Sequence, residues 1–162
     1  MNKKGQIEIS FGIIFSIIII IATVAIAFYF IQKFLSSSDC VTLGDFKSKL
    51  QNDIDDAWHS PIAQKKFTGS LTSEIESVCF GTIADRVPGT YAKEYAELQS
   101  AIDNGKNLFL YPGNKACSGK AAQLKLEHVD SSGFFCKKVV DGKIDLNIIK
   151  ESATQSLVKV KE

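Results

Sequence analysis

From Phe11 to Ile31 the chain runs 21 residues without a charged side chain, FGIIFSIIIIIATVAIAFYFI. Wound as a helix at ~1.5 Å per residue, such a run spans roughly 31 Å, against ~30 Å for the hydrocarbon core of a bilayer. Five consecutive isoleucines, Ile17 to Ile21, make it apolar all round, which a helix facing water on one side is not. β-Branched residues depress helicity in water, but lipid obliges the backbone to bond internally and so tolerates them. The run predicts a transmembrane helix over residues 11–31.

Its flanks predict an orientation. Lys3, Lys4 and the terminal amine precede the span, while Lys33 alone follows closely, with Asp39 behind it. The positive-inside bias puts residues 1–10 in the cytoplasm and the remainder outside. Tyr29 sits near the outer boundary, where an amphipathic ring belongs. The competing reading is a cleaved secretory signal, with Ala25-Ile26-Ala27 as the cutting site. Against it, the apolar run exceeds the ~7–15 residues of a signal's core and continues through Phe28 to Ile31 beyond that site. Both readings export the same domain. Within the span, Gly12, Ser16, Thr23 and Ala27 recur at spacings of 4, 7 and 4. They form a helix side poor in bulk, of the kind that lets helices approach closely in lipid.

The charge balance bears on the rest. Lys3, Lys4 and Lys33 account for three of 19 positive charges, and Glu8 for one of 18 negative ones. Residues 36–162 therefore hold 16 against 17, near neutrality. Nucleic-acid binders carry a basic excess, so that partner class is not expected.

Lys3-Lys4-Gly5-Gln6-Ile7-Glu8-Ile9-Ser10-Phe11 resembles the class III signal sequence of archaeal type IV pilin-like precursors. In that family a short basic leader is cut before a glutamine that opens a long apolar helix bearing an early acidic residue. The resemblance covers about the first 30 residues. It implies processing between Gly5 and Gln6, with Glu8 as the early acid. In this chain Glu8 is third and Ser10 fifth after the cut, the reverse of the order the family favours. In an assembly Glu8 could pair with a neighbouring subunit's terminal amine; otherwise it sits in the first helical turn, where a negative charge suits the helix dipole.

Ser36-Ser37-Ser38-Asp39 is expected to break the anchor helix and open a globular domain over residues 36–162. Leu43, Phe46, Leu50, Ile54, Ala57 and Trp58 then fall at helical spacing, predicting an amphipathic helix over 42–59 stopped by Ser60-Pro61. Trp58 reads as core rather than a ligand platform. Lys66 to Thr68 and Ile75 to Phe80 read as strands around a turn at Gly69-Ser70, and Tyr91 to Asn104 as a second helix. Further strands are expected at 107–111, 123–129, 134–140, 143–149 and 157–160. Val140-Asp141-Gly142-Lys143 is a hairpin signal, since Asp-Gly supplies the positive φ angles of a type I′ turn. The fold class is α+β: a long N-terminal transmembrane helix, then a small, mostly antiparallel sheet domain with one or two packing helices.

All four cysteines, Cys40, Cys79, Cys117 and Cys136, lie beyond the span. In an oxidising exterior an even number predicts two disulfides, for which three pairings exist. Cys40–Cys79 with Cys117–Cys136 is the expected one, tying the helix base to a strand and closing a short loop in the C-terminal sheet. Their spacings lack the close pairs of a zinc site. His59 and His128 stand apart from other ligand types and read as surface or partly buried polar residues. Asn52-Asp53-Ile54-Asp55-Asp56 has acidic spacing but lacks a calcium loop's glycine and distal glutamate. No nucleophile elbow, phosphate loop or dinucleotide fingerprint is present. No catalytic residue, cofactor, metal or small-molecule substrate is expected. Two functions remain: a pilin-like surface-assembly subunit whose partners are the bilayer and further subunits, or a monomeric tethered domain that binds an envelope or extracellular partner.

Overall fold

The computed structural model describes residues 11–82, 89–99, 105–117, 119 and 122–162. The chain divides into two units, Met1–Ser36 and Ser37–Glu162. The helix α1, Phe11–His59, contributes to both. The break expected at Ser36–Asp39 does not occur. Serine lowers helix propensity by only a few tenths of a kcal/mol, and neither Gly nor Pro stands there to add to it. The Thr42 hydroxyl donates to the Ser38 carbonyl one turn back, staying within the helix's own bonding.

In the first unit, Gly12–Gln32 is long and apolar enough to cross a membrane. Its described side chains are exposed throughout.

In the second unit, α1 buries Leu43, Phe46, Leu50, Ile54 and Ala57, spaced as one helical stripe. Pro61 ends the helix, and its last turn is closed by the Ser60 hydroxyl donating to the Asp56 carbonyl. The buried Lys150 ammonium donates to the Trp58 carbonyl, placing a cation at the negative end of the helix. After α1 come β1, Ala63–Ser70, and β2, Ser77–Gly81. A 3₁₀ turn at Gly89–Tyr91 leads into α2, Ala92–Gln99. Then follow β3, Leu108–Tyr111; β4, Gln123–Leu124; β5, Phe134–Lys138; β6, Lys143–Lys150; and β7, Lys159–Lys161. This is the α+β class expected, with the strands divided between two antiparallel sheets. One has the order β1-β6-β7, the other β4-β3-β2-β5.

The sheets explain where the expected elements shift. β1 and β2 do not form a hairpin. β1 continues through Gly69 and Ser70 and pairs along its whole length with β6, Ala63 opposite Lys150 and Ser70 opposite Lys143. Gly69 is required there: a Cβ at that position would lie 2.6 Å from the Phe46 ring. β4 stops at Leu124 rather than 129. The Asn107 side chain takes both the N–H and the C=O of Leu126, and His128 adopts φ 62°, so the chain leaves the ladder. Val158 makes a parallel bridge to Val129 before β7 begins. The second helix is seen as α2 with its preceding 3₁₀ turn; residues 100–104 of the expected helix lie outside the described residues.

β2 and β3 are buried along their entire length, as strands covered on both faces must be. Val78, Phe80, Leu108 and Leu110 join the α1 stripe and the β1-β6-β7 sheet in the main core. The alternate residues Cys79, Phe109 and Cys136 form a second, smaller core under Leu98 of α2, with Tyr91 and Phe134 at its rim.

Candidate functional site

Two features carry chemistry that the sequence singled out: the apolar helix and the cysteines. On the helix, Gly12, Ser16, Thr23 and Ala27 are exposed and lie within about 60° of one another at 100° per residue. Ile19 falls on the same side and interrupts the stripe. The Ser16 hydroxyl donates to the Gly12 carbonyl at 2.7 Å and that of Thr23 to the Ile20 carbonyl at 2.9 Å. Both hydroxyl protons are thus bonded within their own helix. Gly5, Gln6 and Glu8 lie outside the described residues.

The cysteines form two disulfides, Cys40–Cys117 and Cys79–Cys136. This corrects the expected pairing. β2 sits between β3 and β5, so Cys79 meets Cys136 as its direct register partner. Cys117 follows the 3₁₀ turn Gly113–Lys115 after β3 and comes to Cys40, with 4.7 Å between their Cα atoms. The bridges close loops of 77 and 57 residues, each worth about 4 kcal/mol by chain entropy, though the loops overlap. Such bridges belong to an oxidising compartment. The apolar helix and the disulfides together fit an anchor or signal sequence followed by an extracellular domain.

A polar cluster joins α1 to the segment 127–129, which sequence reading did not bring together. Gln51 accepts from the Glu127 N–H and donates to its C=O. The His128 imidazole lies flat on the Trp58 indole, ring centres 3.9 Å apart, and its Nδ1 is 3.0 Å from Asp55 Oδ1. Trp58 Nε1 donates to the Ser156 carbonyl. Trp58 is therefore half-buried at the margin of the core, and His128 is partly buried as expected. Burial pushes the Asp55 carboxyl up, but the hydrogen bonds from His128 and Gln51 outweigh it and hold it below the usual carboxylate range. Stacked on one face and pinned at Nδ1, His128 acts as a clamp that fixes its loop to the helix. No signal in sequence would pair residues 73 positions apart.

Among the described residues, no group of three His, Cys, Asp or Glu side chains is placed to hold a metal ion. Comparison with protein-family models, curated proteins and solved structures finds no match to this chain.

Proposed function

We propose that the protein is a single-pass membrane protein whose N-terminus is cytoplasmic and whose residues 37–162 form an extracytoplasmic domain that works as a pilin-like surface-assembly subunit. One observation carries the reading: an exposed apolar helix of spanning length precedes a domain with its own core and two disulfides. The lysines before the span favour this orientation. The resemblance of Lys3 to Phe11 to a class III signal supports processing at Gly5–Gln6, and the face of Gly12, Ser16, Thr23 and Ala27 supports packing against other subunits.

A specific observation favours a second reading, a monomeric tethered domain. Ile19 divides the small-residue face, and the Ser16 and Thr23 hydroxyls already donate within their helix, leaving neither proton for a bond to a neighbouring helix. Sequencing the N-terminus of the protein purified from its native membrane separates the two. Gln6 at the start supports the assembling subunit. Met1 at the start supports the permanent tether and removes the pilin-like reading.

A further inference from the structure

The outer side of the β1-β6-β7 sheet carries a cleft of about 500 Å³, within the ~300–1,000 Å³ typical of ligand sites. Three elements converge on it. β1 supplies Lys66 and Thr68, β6 supplies Lys143 and Asp145, and β5 with its exit supplies Lys137, Lys138 and Val140. Side chains alternate across a strand. Phe67 and Gly69 turn inward to Phe46 of α1, so Lys66 and Thr68 face away from the helix.

Charge is concentrated here. Four ammonium groups meet one carboxylate, a local balance of +3, while residues 36–162 as a whole hold 16 positive against 17 negative charges. Asp145 is engaged by the Thr68 hydroxyl at 2.7 Å and by Lys66 at 3.0 Å. Lys137, Lys138 and Lys143 make no ion pair among the described residues. Lysines on edge strands discourage sheets from pairing edge to edge, which accounts for charge on β1 and β5. At Lys143 the strand β6 also lacks a second neighbour, since β7 pairs with it only from Asn147 to Ile149; edge protection does not account for the convergence of three elements on one cleft.

We propose that this cleft binds a sugar chain bearing carboxylate or sulfate groups. The cations are all lysines, compact point charges suited to single spaced anions rather than to bidentate phosphate recognition. Thr68 and Asp145 add hydroxyl and carboxylate oxygens, which can accept from sugar hydroxyls but would oppose a purely anionic ligand. The lining has no aromatic ring, whereas single-stranded nucleic acid is held by stacking. Val140, 65% exposed, gives the cleft an apolar contact. The export reading matters only to where such a chain would be met.

The test uses the full chain in an uncharged detergent, so its outcome is independent of topology. The probes are a heparin-derived oligosaccharide, an oligogalacturonate, an uncharged dextran oligomer, oligothymidylate and inositol hexakisphosphate. At least one charged sugar chain should bind, dextran should not, and affinity should fall with salt. Bound sugar should protect Lys137, Lys138 and Lys143 from acetylation. K137Q/K138Q should weaken binding about tenfold, the order expected for two lost counterion-releasing contacts, while K137R/K138R retains it. K49Q/K93Q removes two exposed lysines elsewhere and should leave it unchanged. Absence of binding at low salt, an equal loss in K49Q/K93Q, or tighter binding of oligothymidylate or inositol hexakisphosphate would each overturn the proposal.

Discussion

Cys79 and Cys136 stand directly opposite each other on neighbouring antiparallel strands, their Cα atoms 3.9 Å apart. Their bridge lies on the face of the sheet that α2 covers, beside Phe109 and Leu98. It therefore anchors the smaller core, while Cys40–Cys117 ties α1 to the far side of β3.

The two bridges should be separable. Non-reducing peptide mapping should recover Cys79 with Cys136 and Cys40 with Cys117, and neither alternative pairing. C79S/C136S, which also leaves two small polar groups in a buried setting, should cost about 3–5 kcal/mol. C40S/C117S should cost less, about 2–4 kcal/mol, because Cys40 and Cys117 are only partly buried. Denaturant midpoints of the two variants check the order, and a larger loss in C40S/C117S would contradict it.

A second prediction concerns Gly69. An added methyl group would meet the ring atoms of Phe46 and Phe67 at 2.6–2.7 Å, and both rings are buried. Gly69→Ala should therefore destabilise the domain by about 1–3 kcal/mol through overpacking, although alanine is ordinarily no worse than glycine in a strand. Equilibrium unfolding in urea measures it; an unchanged or raised midpoint would mean that the rings yield.

The elements legible in sequence are those set by near neighbours. The stripe Leu43, Phe46, Leu50, Ile54 and Ala57 has a period that any segment of helix displays. The Asp141-Gly142 turn was legible for the same reason, and both residues take positive φ, 50° and 69°. What that turn connects was not legible. It closes a single bridge, Val140 to Lys143, after which β5 joins one sheet and β6 the other. Strand partners far apart in the chain, such as β1 and β6, are selected by which faces bury together, and local pattern carries no record of that. The cysteine pairing failed at this step, and the meeting of His128 with Asp55 and of Lys66 with Lys137 was hidden by it. Over Gly12–Gln32, length and apolarity alone made a helix long and apolar enough to cross a membrane legible.

Acid should loosen the clamp between α1 and the segment 127–129. Asp55 is held below the usual carboxylate range by His128 and Gln51 despite burial, and Asp130 by the Ser132 hydroxyl and N–H. A carboxyl lowered in the folded state stabilises fully above its unfolded value near ~3.9, and that contribution is lost as pH falls through the folded value. Stability should thus decline below about pH 4. Asp55→Asn should flatten that decline and cost about 1 kcal/mol at pH 7, a modest figure because the pair is 37–38% exposed. Thermal melts from pH 2 to 7 compare the two proteins; parallel curves would exclude Asp55 as a contributor.

The last prediction concerns the N-terminal leader and follows from the proposed processing. In the proposed orientation, Lys3 and Lys4 would hold the helix at the cytoplasmic leaflet before any cut, each contributing ~1 kcal/mol of attraction to anionic lipid. Cleavage between Gly5 and Gln6 removes both lysines. Gln6 then becomes the terminal residue, with Glu8 as the nearest charged side chain. A helix freed in this way resists withdrawal from the bilayer less, which an assembling subunit needs and a permanent anchor does not. A leader peptidase that reads a small residue before the cut should reject a bulky one, so Gly5→Leu should abolish processing. Intact mass in the native host should rise from a chain beginning at Gln6 to one beginning at or near Met1, and the variant should stay in the membrane fraction. If both forms begin at Met1 with unchanged mass, no leader is removed and the protein is a plain tethered domain.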